Sequence, residues 1–551
     1  MLLSALVSEG LRSLPTDLRV ALSRLVHGDA GPGRWWSASA DRLVGRSGPR
    51  AFLTAHALAD VRRSSELRAE IEAALRQAGA SPVRLPDGMG ASSRLAVEPT
   101  DLPTLAAVLA TQPDARAWNL TVTRPLQVIR RSAHQAKRVI RSNTTVVRVG
   151  PRYRAVDGTR LILGGLCEVQ IEVWDRLAGG ELRADGDPHR EGTRVPRVTP
   201  ERLPYLDADH WEQLASTGTA EAAAFTLPSL FEFNGPIDAV YTWVDGDDKD
   251  WLARKDAAAG RDSDAVHHTS SSRARFASRD ELRYSLRSLE TFAPWIRHVY
   301  LVTDQQRPEW LDVDNPRITV VDHREIFSDP SVLPVFNSHA IESQLHHIDG
   351  LSEHYLYMND DVMFGRPVGP AGFFEGNGMP RFFVSSATLD VSPASSRDLP
   401  VLSAAKRNAR VIADRFGRSV TQKFQHTPHP QSRAVLRELE GEYPDLFAEV
   451  SASKFRHPDD VSVASSLHHT YAHARGLAVP GRLKYAYINV AEADAALRLT
   501  GLMRKRDRDV FCLNDVDVSH TDNDAAARNL AQFLEHYFPV RSAFELAEGE
   551  E

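Results

Sequence analysis

Cysteine is nearly absent: Cys167 and Cys512 are the two in 551 residues, far apart in sequence. That excludes a disulfide scaffold and any Cys-rich zinc site, and it suits a reducing compartment. No apolar run approaches the ~20 residues needed to span a bilayer. The opening "MLLSALVSEGLRSLPTDLRVALSRLVHG" interrupts its short apolar stretches with Glu9, Arg12, Asp17 and Arg19. It therefore lacks the basic start and unbroken apolar centre of a signal peptide, and the expected location is cytoplasmic. A positive excess is missing as well: net charge is −7, so no global field points to nucleic acid. There is no Walker loop, no GxGxxG after a strand, no HExxH and no GxSxG. Phosphate cradling by a glycine loop is not the mechanism here.

What is there is an ordinary globular balance, 42% hydrophobic and 25% charged, in a chain long enough for more than one domain. Residues 1–180 read as an N-terminal α+β accessory domain. "AFLTAHALADVRRSSELRAEIEAALRQAG" has helical periodicity and a stop at Gly79. "CEVQIEVW" alternates Val169, Ile171 and Val173 with acids and Gln170, as a half-buried strand does. Residues 181–230, rich in Pro, Gly and charge over much of their length, read as a linker.

Two features of the N-terminal region each leave two readings open. Leu18, Ala21, Leu22 and Leu25 form a helical stripe that either packs on its own domain or lies on the inner face of a membrane. Arg130, Arg131, Lys137, Arg138, Arg141, Arg148, Arg152 and Arg154 form either a solvated face or a cradle for an anionic polymer or lipid phosphate. Few aromatics interleave them, which disfavours nucleic acid.

Residues 231–545 have the texture of an α/β catalytic domain. "IDAVYTWVDGDDKDW", "HVYLVTD", "RITVVDH" and "HYLYMNDD" are short apolar runs, each reaching an aspartate, and helical segments separate them. "SRDELRYSLRSLETF" sets Ser278 three residues before Glu281, a capping box, with Leu282, Leu286 and Leu289 on one face. Strands alternating with helices imply a largely parallel, Rossmann-like sheet, and such sheets bind ligands at the carboxyl ends of their strands.

Chemistry-bearing residues recur in four blocks. Glu342 and His346 are four apart, the spacing of neighbours on a helix face. Asp360 and Asp361 form an acidic turn suited to Mg²⁺ or Mn²⁺ beneath a diphosphate. In "QHTPHP", the Thr-Pro between His426 and His429 prevents helical i,i+3 geometry, and no cysteine accompanies them to favour zinc. One imidazole as general base fits better. Arg456, before His457, Asp459 and Asp460, has the planar fork that matches phosphate oxygens. A last strand ends at Asn514-Asp515.

In this order, "IDAVYTWVDG", "RDELRYSLRSLE", "AIESQLHHIDGLSEHYLYMNDDVMFG", "HTPHP" with "KFRHPDD", and "CLNDVDVSHTD" resemble the signatures of the Stealth family. That resemblance implies a capsule or exopolysaccharide sugar-1-phosphate transferase, taking a hexose 1-phosphate from a nucleotide-sugar, with uridine diphosphate the first expectation, to a saccharide hydroxyl. It implies catalytic roles for Glu342, Asp361, His426 and Arg456, and places Asp238, Tyr241, Trp243 and Asp245 by the nucleotide-sugar. Asp360, Asp361 and Asp515 are the expected ligands of Mg²⁺ or Mn²⁺. A metal-dependent glycosyltransferase using the same donor, or a polysaccharide-binding or assembly protein without catalysis, are the alternatives. The sugar, the acceptor and the oligomeric state stay open.

Overall fold

The computed structural model describes residues 52–547 except 56–57, 59–60, 62, 87–92, 156–157, 159, 162, 182–187, 201–202, 219–221, 261–278, 396, 493 and 515–522. The stripe from Leu18 to Leu25, the Ser278 half of the capping box and Asp515 lie outside the described residues.

Among the described residues, the N-terminal region builds a seven-stranded mixed sheet. Its strands are β1 (Val83–Leu85), β2 (Ser93–Val97), β3 (Trp118–Arg124), β4 (Gln127–Ser132), β5 (Val146–Pro151), β6 (Val169–Arg176) and β7 (Arg194–Pro196). They lie in the order β1-β2-β6-β5-β3-β4, with β7 against β6, and β4 is an edge. Helices α1 (Ser64–Gln77) and α2 (Leu102–Thr111) bury Leu67, Ile71, Leu105 and Leu109 in the same core. In β6, Val169, Ile171 and Val173 are buried as the alternation requires. Glu172 is buried too, because Arg94 Nε and Nη2 and Trp174 Nε1 donate to it.

The segment read as a linker is folded. It supplies β7 and a helix, Ala208–Thr217, that buries Trp211 and Leu214 against Trp174 and Val83. Composition misled here because a few large apolar side chains decide packing, and Pro, Gly and charge between them do not prevent it.

The second region is α/β with a mostly parallel five-stranded sheet. Strands β8 (Ile237–Thr242), β9 (Val299–Thr303), β10 (Ile318–Asp322), β11 (His354–Asn359) and β13 (His429–Ser432) lie in the order β10-β9-β8-β11-β13. All pairs are parallel except β11–β13. The chain leaves β8 toward β9 and β10, then returns to place β11 on the other side of β8. That reversal opens a crevice at the carboxyl ends of β8 and β11, where parallel sheets bind ligands. Beside it, β12 (Val362–Phe364), β14 (Tyr485–Asn489) and β15 (Val510–Asn514) form a three-stranded sheet in the order β12-β15-β14.

Both faces of the five-stranded sheet are covered. One carries Ala239, Tyr241, Leu301 and Met358 into a core continuous with that of the N-terminal sheet; the other carries Val240, Val302, Tyr355 and Tyr357 into a separate cluster. Burial on both faces is why these strands read as near-continuous apolar runs.

Between β8 and β9 run α3 (Lys249–Ala259) and α4 (Glu281–Phe292). Leu282, Leu286 and Leu289 of α4 are buried. The chain's last described segment clamps this helix: the fully buried Glu545 carboxylate accepts from Arg283 Nε at 2.6 Å and from Arg287 Nε and Nη2 at 2.8 and 2.6 Å. Burial alone would raise that carboxyl, but Arg287 and Arg283 override it and hold it down to about 2. A depressed carboxyl stabilises the fold above its unfolded value of ~4.3 and loses that contribution as pH falls toward 2. Glu545→Gln is therefore expected to cost about 3 kcal/mol near neutral pH and to flatten the acid limb of the stability curve. Urea unfolding across that range checks it, and an unaltered acid limb would exclude the clamp.

Candidate active site

The four aspartates that follow β8 divide their work. Asp248 caps α3, its Oδ1 accepting from the backbone N–H of Asp250 and Trp251. Asp245 accepts from Asp247 N in a tight turn, and its own backbone N–H donates to Gln306 Oε1. Similar local duties hold Asp304, which pairs with Arg254, and Asp322, which caps the short helix after β10. An aspartate at a strand end is thus a loop device in most cases here.

Asp360 and Asp361 differ. They form the turn between β11 and β12, and backbone pairing brings β15 alongside, with Leu513 N donating to Asp361 O at 2.9 Å. Cys512 and Asn514 are two apart on β15 and so share one strand face. Both side chains reach Asp361 Oδ2, Cys512 Sγ at 3.3 Å and Asn514 Nδ2 at 3.1 Å. His426 arrives from the segment before β13. Because β13 runs antiparallel to β11, its beginning lies at the carboxyl end of β11, and His429 is registered with Tyr357. His426 Nδ1 sits 3.1 Å from Cys512 Sγ and 3.7 Å from Asp361 Oδ2.

Asp361 Oδ1 is buried and has no hydrogen-bond partner among the described residues. Asp360 and Glu281, the first residue of α4, add their charge to the same place. Desolvation, then Asp361 and Glu281, push the Asp360 carboxyl well up. Burial, with the Asp361 charge adding to it, pushes Glu281 up to about 7. Like charges gathered in a desolvated place favour protonation or a bound metal ion, and Arg279 offsets only part of the effect at Glu281. Asp361, His426 and Cys512 together offer one carboxylate oxygen, one imidazole nitrogen and one sulfur within 4.8 Å of one another.

A second set lies across the Tyr357 hydroxyl, which contacts Thr242 Oγ1 at 3.2 Å and donates to Glu342 Oε1 at 3.4 Å. The other Glu342 oxygen accepts from Ser465 Oγ at 3.0 Å and from Ser465 N and Ser462 Oγ at 3.3 Å. Arg456, whose Nη2 donates to Ser338 Oγ at 2.7 Å, lies in the field of Glu342, Tyr357 and Asp460. Glu342 and His346 do not meet: the helix stops at Glu342, and His346 and His347 instead place their Nε2 atoms 2.8 and 2.9 Å from Glu440 Oε2.

Two residues anticipated by the donor are fully engaged elsewhere. Asp238 is the second residue of β8, at the end away from the crevice. Arg297 Nε and Nη2 donate to it at 2.8 and 2.6 Å and Ser352 N at 2.7 Å, a structural ion pair between a buried carboxylate and a half-exposed guanidinium. The Tyr241 hydroxyl is buried on Ser285 Oγ at 2.9 Å. Trp243 and Asp245 stay at the carboxyl end of β8. Glu281, Cys512 and Asn514 were missed: Glu281 read as a helix cap, Cys512 as one of two distant cysteines, Asn514 as a strand end. The two-residue spacing of Cys512 and Asn514 was the available signal.

Residues 235–263, 275–382, 425–473 and 500–551 match, in that order, the models described as Stealth protein conserved regions 1 to 4. An exopolysaccharide phosphotransferase of Streptomyces coelicolor is 47% identical over 410 residues, 74% of this chain and 69% of that one. The chain belongs to the Stealth family. The exopolysaccharide phosphotransferase CpsY of Mycobacterium tuberculosis is 42% identical over 311 residues, 56% of this chain and 58% of that one. A solved galactosyltransferase in complex with donor and acceptor sugar analogues overlaps 54% of this chain and 95% of its own at 10% identity, with a TM-score of only 0.27. The residues described above are shared among all four regions: the first holds Trp243 and Asp245, the second Glu281, Glu342, Asp360 and Asp361, the third His426 and Arg456, the fourth Cys512 and Asn514.

His429 separates from His426 in this Stealth site. It is buried, stacks on Tyr357 and His469, and its Nδ1 lies 3.1 Å from His469 Nε2. The next imidazole, His468, accepts from Ser432 N at 3.1 Å, which requires an unprotonated Nε2. Desolvation holds His429 and His468 down to about 3. Unfolded imidazoles titrate near ~6.5, so below that pH the unfolded chain takes up protons the folded chain refuses. Stability should fall with pH from ~6.5 toward 3, by about 1 kcal/mol per pH unit for each such imidazole. Urea midpoints across this range should show His468→Gln, which keeps an acceptor for Ser432 N, with a visibly shallower slope. An equal slope in the variant would assign the acid sensitivity elsewhere.

Proposed function

We propose that the protein is an exopolysaccharide or capsule sugar-1-phosphate transferase that works on a nucleotide-sugar at the crevice between β8 and β11. What supports this reading most is the convergence of Asp361, His426, Glu342 and Arg456 at the carboxyl ends of those two strands. The names carried by its relatives point the same way. In this reading the five-stranded sheet is a Rossmann-like donor platform, uridine diphosphate is the first nucleotide to try, and the N-terminal region is accessory.

The acceptor hydroxyl oxygen forms a bond to the β-phosphorus, the bond from that phosphorus to the bridging oxygen breaks, and nucleoside monophosphate leaves. Such transfer needs alignment and charge neutralisation more than covalent help. With His426 Nδ1 turned to Asp361 and Cys512, its Nε2 is the nitrogen that takes the hydroxyl proton. Arg456 meets the charge on the transferring phosphoryl group with a planar fork. Glu342, fixed by Ser462, Ser465 and Tyr357, positions Arg456. The buried, unpartnered Asp361 Oδ1 beside Asp360 fits a hard divalent cation, so these two would hold Mg²⁺ or Mn²⁺, with Asp515 as a further candidate. Such an ion would neutralise diphosphate charge.

Turnover is measured as release of nucleoside monophosphate from a panel of nucleotide-sugars offered with saccharide acceptors. His426→Ala is expected to lose about 10² to 10⁴ in rate. Arg456→Ala is expected to lose about 10² to 10³, and Arg456→Lys should recover only part because a point charge cannot form two parallel hydrogen bonds. Melting temperatures close to wild type guard against unfolding. Wild-type turnover in His426→Ala would remove the general base, and release of nucleoside diphosphate instead would make the protein a glycosyltransferase.

Chelation should abolish turnover, with Mg²⁺ or Mn²⁺ restoring it in the wild type and not in Asp361→Ala. Titration calorimetry with Mn²⁺ alone gives a readout independent of activity. Undiminished Mn²⁺ binding by Asp361→Ala would exclude the assignment.

A further inference from the structure

Between Asp114 and Asp157 the chain has no acidic residue, although its net charge is −7. The same stretch carries Arg116, Arg124, Arg130, Arg131, Lys137, Arg138, Arg141, Arg148, Arg152 and Arg154. Most of these cations lie on or beside one edge of the sheet, although Arg152 is buried and Arg130 and Arg131 take opposite faces of β4. Strands β3 and β4 form a hairpin closed by Pro125 and Leu126, and β4 is the free edge of the N-terminal sheet, exposed along most of its length. Arg124, at the hairpin end, donates from Nη2 to Val139 O, which ties the segment carrying Lys137, Arg138 and Arg141 to the tip. Arg130, Thr121 and Arg148 are register partners across three strands, so both arginines stand on one sheet face.

Arg130, Arg131, Lys137, Arg138, Arg141 and Arg148 are exposed, and none forms an ion pair among the described residues. Glu168, two strands from the hairpin, is the nearby acid that feels Arg148 and Arg130. At the tip, Leu126 is 101% exposed and Val128 57%. Charged residues on an edge strand usually serve to block edge-to-edge pairing. That duty accounts for Arg130 and Arg131. It does not account for a fully exposed leucine at the tip, or for the cations that continue beyond the strand.

We propose that this hairpin is a docking surface for an anionic lipid bilayer. The cations would contact headgroup phosphates while Leu126 and Val128 enter the boundary with the acyl chains. A soluble anionic polysaccharide would satisfy the cations too, but it has no use for an aliphatic tip in water. A saccharide platform would instead present aromatic rings, and none is exposed on the hairpin.

Co-sedimentation of the full chain with phosphatidylcholine vesicles, with and without phosphatidylglycerol, tests the assignment. The wild type should bind only the anionic vesicles and should release in high salt, because exposed charges are screened beyond ~8 Å even at physiological ionic strength. The quadruple variant Arg130→Glu, Arg131→Glu, Lys137→Glu, Arg138→Glu should lose more than about tenfold in partitioning, given roughly fivefold per cation at such a surface. Leu126→Asp should lose vesicle binding several-fold while keeping any retention on a soluble sulfated polysaccharide. All of these side chains are exposed, so the melting temperature should not move. Vesicle binding that survives the quadruple variant, or that Leu126→Asp leaves intact, would overturn the proposal. So would wild-type protein that ignores anionic vesicles yet binds the soluble polymer.

Discussion

Keeping Glu281, Asp360 and Asp361 together is the constraint around which the second region is arranged. Three carboxyl groups at the ends of buried elements repel one another, and desolvation makes that repulsion stronger than it would be in water. The structure tolerates it by fixing two of the three from outside. The clamp of Arg283 and Arg287 on Glu545 anchors the helix that begins with Glu281. The backbone bond from Leu513 and the side chains of Cys512 and Asn514 hold Asp361 by one oxygen and leave the other bare. Rigid scaffolding of this kind is what a charge-neutralising site requires, since loose carboxylates would relax toward solvent.

The sequence was legible where periodicity and burial agree. The strands of the five-stranded sheet stood out as short apolar runs because helices cover both faces, and the α/β reading followed from their alternation with helices. Leu282, Leu286 and Leu289 could be assigned to one buried face for the same reason. Asp361 and His426 could be singled out as candidates because an acidic turn after an apolar strand and a histidine held by Thr-Pro are local features. Their meeting is not local. It depends on β13 entering antiparallel beside β11, which no spacing in the chain reveals.

The misreadings share one physical origin. Asp238, Tyr241, Cys512 and the segment 181–230 all take their roles from partners far away in sequence. Asp238, expected by the nucleotide-sugar, is bound by Arg297, and Cys512, noted only as one of two distant cysteines, comes to lie beside Asp361 once β15 is placed. The folded segment hid behind its composition, since the apolar side chains it buries, Leu206, Trp211 and Leu214, are few and widely spaced. Glu342 and His346 show the reverse error. The spacing assumed a continuing helix, yet the helix ends at Glu342, and His346 turns to Glu440.

The two histidines of "HTPH" show how the same scaffold sorts chemically identical groups. His426 precedes Pro428 and stays at the mouth of the crevice, partly exposed, with a carboxylate and a thiol beside one nitrogen. Three residues later the chain has become a strand of the sheet, and His429 is sealed between Tyr357 and His469. A buried imidazole held down to about 3 cannot retain the proton it accepts near neutral pH, whatever its distance from substrate. Strand entry therefore separates the two: the residue outside the sheet stays partly exposed at the crevice, and the one inside is packed into the wall behind it. Because β13 is the one antiparallel strand of its sheet, it is also the one strand whose beginning, not its end, borders the crevice, and so it delivers a side chain that approaches the carboxyl ends of the others from the opposite chain direction.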